Sequence, residues 1–152
     1  MFFDGSNYKT LRKTHVTIGA EKQNHKYFED PRDITLGVSM DGFTPFKKHK
    51  HTFWPLILFN YNLPPKKIQF LIQHIICIGV IPGPKKPKDF DSFLWLIEEL
   101  LELASGVWAF DVTAETMFTL RAFLIIAFGD MPAISMVCVW RVIMELFHAE
   151  CV

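Results

Sequence analysis

Apolar residues alternate along "ITLGVSM", so that Ile34, Leu36, Val38 and Met40 share one face of an extended segment and predict a strand over 34–40. "TFWPLILFNYNL", Thr52 to Leu63, is dense in aromatic and β-prone residues and predicts a second strand. Pro55 lies near its start, where a missing N–H is tolerated. "QHIICIGVI", Gln73 to Ile81, is almost continuously apolar, the pattern of a strand covered on both faces. "PGPKKPKD" ends it. The period then changes. Phe93, Leu94, Ile97, Leu100, Leu101 and Ala104 recur at intervals of three and four, with Glu98, Glu99 and Glu102 on the other face, which predicts a helix over 90–105. Asp89 or Asp91 caps its start, and Gly106 supplies the stop. "VWAFDV" is a short candidate strand. Met117 to Asp130, "MFTLRAFLIIAFGD", has a composition open to helix or strand. Strand is preferred, because Gly129-Asp130-Met131-Pro132 terminates it and a helix already fills the crossover role. Residues 1–33 are polar, mixed and without firm periodicity, and are set apart as a poorly defined N-terminal segment.

Three strands joined by short polar turns suggest an antiparallel meander, to which a helix crossover adds a parallel strand. The fold class is α/β. In that topology the strand ending at Asp41 and the strand ending at Asp130 run side by side, with their C-terminal ends together. Two carboxylates so placed repel each other unless a divalent cation sits between them. Metal-assisted phosphoryl transfer uses that arrangement. The plainer readings are that Asp41 forms an Asp-Gly turn with Gly42 and that Asp130 caps a following turn.

The 152 residues fit one domain, and 50% of them are hydrophobic, including 15 Phe, which is ample for a core. Formal net charge is zero and names no partner, but the basic residues cluster. Lys47, Lys48 and Lys50, then Lys85 and Lys86, are either solvated loop surface or a phosphate-neutralising set on a nucleic-acid enzyme. The three cysteines, Cys77, Cys138 and Cys151, give no disulfide framework and favour a reducing compartment. His49, His51, His74 and His148 share no ligand spacing. Trp54, Trp95 and Trp108 read as packing residues, or as aromatics beside a basic loop that stack a base. The longest uncharged run, Ile68 to Pro84, falls short of the ~20 apolar residues of a spanning helix, so no membrane is expected.

The blocks "MDGFTPFKKHKHTFWPLILFNYNLPP", "IICIGVIPGPKKPKDFDSFL", "LIEELLELASGV" and "FTLRAFLIIAFGDMPA" resemble the catalytic region of CACTA-type (En/Spm) DNA transposases in their fungal form. The resemblance covers 34–137 and implies a ribonuclease H-like catalytic domain with an acidic triad, Mg2+ as cofactor, and DNA transposon ends as partner. It implies cut-and-paste transposition and, if the chain is expressed, a nuclear location. Asp41 in "DGF" matches the first acid of that family and Asp130 in "GDMPA" the second, both as metal ligands. The third acid has no counterpart in this chain, so a truncated, inactive catalytic fragment is expected. The rival class is a small non-catalytic α/β interaction protein that binds DNA weakly through its lysine loops.

Two departures stand out. Trp95 runs directly into Leu96 where the family block carries a proline, and "CVWRVIMELFHAECV" replaces a segment leading to Cys-x-x-Cys. Codons for that tail, read two bases on, can spell Arg-Met-Glu-Gly-His-Asn-Gly-Ala-Leu-Pro-Cys-Arg-Met-Cys, the missing family segment. Residues 138–152 are therefore read as a frameshifted tail, in which Cys138 to Phe147 is apolar enough to form a short helix.

Overall fold

The computed structural model describes residues 5–44, 52–63, 75–82, 99–129 and 150–151. In chain order the elements are α1 (Ser6–Leu11), β1 (His15–Ile18), β2 (Glu21–Lys26), β3 (Ile34–Met40), β4 (Phe53–Asn60), β5 (Ile75–Pro82), α2 (residues 99–105), β6 (Val107–Asp111), β7 (Thr116–Leu120), β8 (Ala122–Gly129) and β9 (Glu150–Cys151). Three sheets form. β1 and β2 make a hairpin, β6 and β7 a second one, and the main sheet has the order β5-β4-β3-β8-β9.

Within the main sheet β3, β4 and β5 form the expected antiparallel meander, and β8 joins β3 in parallel, as does β9 to β8. Among the described residues the central strands are the most buried. Leu36 and Val38 of β3, Leu56 and Leu58 of β4, and all four residues from Ala122 to Ile125 of β8 lie in the core. Burial of four consecutive residues in β8 means that both faces of that strand are covered there. From α2, Leu100 and Ala104 enter the same core, while Glu99 and Glu102 face outward, as the three-and-four spacing requires. Gly106 then stops the helix with φ +111°, and its N–H bonds the Glu102 carbonyl at 2.9 Å.

Several expectations are corrected. Residues 5–33 hold α1, β1 and β2 and supply core side chains: Val16, Tyr27 and Phe28 are buried. Periodicity hid them because Tyr27 and Phe28 are neighbours that both turn inward. Phe28 has φ 56°, a left-handed conformation that lets its ring and that of Tyr27 reach Phe123, at centroid distances of 5.2 and 5.0 Å. The run 117–130 is not one strand. It breaks at Arg121 into β7 and β8, because β7 folds back on β6 while β8 enters the main sheet. Among the described residues β5 lies at a sheet edge, with Ile76 and Val80 about half exposed, so it is not covered on both faces. Trp108 is 76% exposed and is no packing residue. Residues 90–98 of the expected helix, and Cys138 to Phe147, lie outside the described residues.

Candidate metal-binding edge of the central sheet

The parallel register of β3 on β8 pairs Met40 with Gly129. Asp41 and Asp130 are the next residues along the two strands. Neighbouring strands lie about 4.8 Å apart, so the register brings the two chain ends to one edge of the sheet. Asp41 is exposed there. Asp130 lies outside the described residues, as do Lys47, Lys48, Lys50, Lys85 and Lys86, His49, His51, His74 and His148, Trp95, and Asp89 and Asp91.

The local chain holds Asp41 in place from both sides. Beyond Asp41 the β3–β4 pairing resumes at Phe43 and Phe53, which exchange two backbone hydrogen bonds of 2.9 Å, and their rings stand 6.2 Å apart. Met40 pairs with Leu56, and Phe43 with Phe53, so the same register sets Asp41 opposite Pro55. Proline has no N–H to give, and the ladder is interrupted at Asp41 and Gly42. Gly42 passes over the Trp54 ring so closely that a Cβ at this position would meet ring carbons at 2.8 Å. The residue after the acid is therefore glycine for want of space, and the packed indole fixes the path of the chain through Asp41.

The donor chemistry fits a hard divalent cation. Asp41 brings a carboxylate, and its own carbonyl faces a residue that cannot donate to it; oxygen donors of this kind suit Mg2+. Among the described residues no three His, Cys, Asp or Glu side chains are grouped closely enough to hold a metal ion. Asp111 closes β6: its carboxylate accepts the N–H groups of Thr113 and Ala114, both at 3.0 Å.

The opposite end of β3 is held by residues that no sequence pattern singles out. The Asn62 side chain accepts the Thr35 N–H at 2.7 Å and donates to the Asp33 carbonyl at 2.8 Å, in place of a neighbouring strand. Asp33 itself is buried, and burial holds its carboxyl above the ordinary aspartate value, against the opposing pull of the Asp30 N–H and the Arg121 charge. The half-buried Asp30 is pulled the other way, to about 2, by its bonds from Arg32. Asn62 belongs to "NYNLPP", where asparagines signal a turn; nothing in that pattern says that the side chain would brace β3.

A family model described as transposase family tnp2 matches residues 12–151. The chain belongs to transposase family tnp2. The match begins inside the segment 1–33 and reaches β9, so the tnp2 region takes in every element of the described structure except α1. No curated protein and no solved structure matches the chain. DNA is the general partner of a transposase family. Among the described residues no helix is long and apolar enough to cross a membrane.

Proposed function

We propose that this tnp2 chain carries the catalytic sheet of a CACTA-type (En/Spm) transposase of the fungal form, with a ribonuclease H-like architecture, and that Asp41 and Asp130 are two of its metal ligands. The observation that carries the reading is the Met40–Gly129 pairing between parallel β3 and β8. An antiparallel meander followed by parallel strands in the order β5-β4-β3-β8-β9 supports the ribonuclease H-like assignment. Mg2+, when bound, would polarise a phosphodiester and lower the pKa of an attacking water or 3′ hydroxyl. Asp41 and Asp130 would hold the ion at the open edge, and the packed Gly42–Trp54 contact would keep Asp41 from drifting. In the sequence the basic clusters follow strand ends that lie at this edge. Lys47, Lys48 and Lys50 fall between Phe43 and Phe53, and Lys85 and Lys86 follow Pro82, which pairs with Phe53. Phosphates drawn to those lysines would come to the acidic edge. The protein would act in the nucleus.

Two acids of three are present in these 152 residues, and we infer that the chain alone does not cut DNA, because transition-state charge is left uncompensated. The test is a strand-cleavage assay on CACTA-ended DNA with Mg2+. The chain alone is expected to give no product. The chain joined in frame past Val137 to its downstream coding sequence is expected to cleave, and Asp41→Ala is expected to abolish that cleavage. Cleavage by the 152-residue chain itself, or repaired activity indifferent to Asp41→Ala, overturns the reading. The frame shift proposed for residues 138–152 is tested by transcript sequence across Val137.

A further inference from the structure

The β6–β7 hairpin turns an apolar face to solvent. Trp108 is 76% exposed, Phe110 57%, Met117 55% and, at the turn, Val112 79%. The register pairs Phe110 with Met117 and Trp108 with Thr119, so these side chains share one face without a charge among them. The other face is anchored. Arg32 lies 3.9 Å above the Phe118 ring and reaches Asp111 at 3.4 Å. The exposed face is thus presented by a hairpin fixed from behind, at the start of β8 and away from the Asp41 edge.

We propose that this face is an interface between two copies of the chain. Charge excludes nucleic acid as its occupant: neither strand of the hairpin carries a basic residue, and its acids are Asp111 and Glu115. The area suits a second copy. With ~150–250 Å2 on each aromatic side chain, the exposed parts of the four residues make a patch on the order of 500 Å2. Two such patches facing each other bury roughly 1,000 Å2, the lower bound for a specific interface. An uncharged patch is self-complementary, as a two-fold contact requires. Among the described residues each strand of the hairpin has a single neighbour, so an open edge is available to extend the ladder across the axis. A lone two-stranded hairpin is marginal in water, and covering its open face stabilises it.

The experiment is sedimentation of the full 152-residue chain over roughly 1–200 μM, where an interface of this size dissociates. The mass is expected to climb from 17.6 kDa toward twice that value. Amide exchange in residues 107–120 should slow as concentration rises. Trp108→Glu, and independently Met117→Glu, should stay at the monomer mass with an unchanged circular dichroism spectrum and association at least tenfold weaker. A wild type that stays at 17.6 kDa throughout overturns the proposal. So does a dimer or larger species indifferent to both substitutions, or concentration-dependent protection that falls outside the hairpin. None of these readouts depends on DNA cleavage.

Discussion

Pro55 and Gly42 together determine what Asp41 can do. The first withholds a ladder N–H opposite the acid, and the second admits the Trp54 ring where any side chain would collide. At the other end of β3, Asp33 carries a pH signature of its own. Its folded value is raised by burial, so the folded state holds that proton more tightly than the unfolded state. Its stabilisation is complete below the ordinary value of 3.8 and is lost as pH rises through the raised one. Asp30 has the opposite sign: its contribution is present above the ordinary value and lost as pH falls toward 2, and exposure of the pair keeps it small. Asp33→Asn is therefore expected to raise the melting temperature at pH 7 by at least ~2 °C and to match the wild type near pH 4. A difference between the two proteins that is constant across that range would contradict the assignment.

At the scale of elements, the strands that carry the candidate site were legible and their supports were not. Strict alternation gave β3 its limits at Ile34 and Met40, and the change of period marked the helix that ends at Gly106. The split at Arg121 was hidden because β7 and β8 are both apolar and only one intervening residue separates them. The β1–β2 hairpin was hidden because Glu21–Lys26 is polar throughout, although Val16 and His25 within it are buried together with Tyr27 and Phe28 just past the strand. Asn62 is the support most open to test. Asn62→Ala strips the Thr35 N–H and the Asp33 carbonyl of their partners and should lower stability by about 1–2 kcal/mol, read as a lower urea midpoint at unchanged slope. An unchanged midpoint would show that water replaces the amide without cost.

For the whole molecule, zero net charge with lysines clustered in short runs of the sequence sets how DNA should be met. Binding by the purified chain is expected to be weak, indifferent to sequence and steeply lost with salt, because it rests on a few phosphate contacts. Titrating labelled duplex at rising salt checks this, and tight sequence-specific binding at ~150 mM salt would point to a complete recognition module instead. The parallel placement of β8 on β3 followed from connection rules applied to the sequence, and it pairs Met40, which precedes Asp41, with Gly129, which precedes Asp130. The central claim is that these two acids share a cation. Its most direct test is Mn2+ added in place of Mg2+ to isotope-labelled chain, with paramagnetic broadening read amide by amide. The assignment predicts that Met40, Asp41 and Gly129 broaden first, that Asp41→Ala or Asp130→Ala removes the effect, and that excess Mg2+ reverses it. Broadening centred elsewhere, or unchanged in both variants, would contradict a shared metal edge.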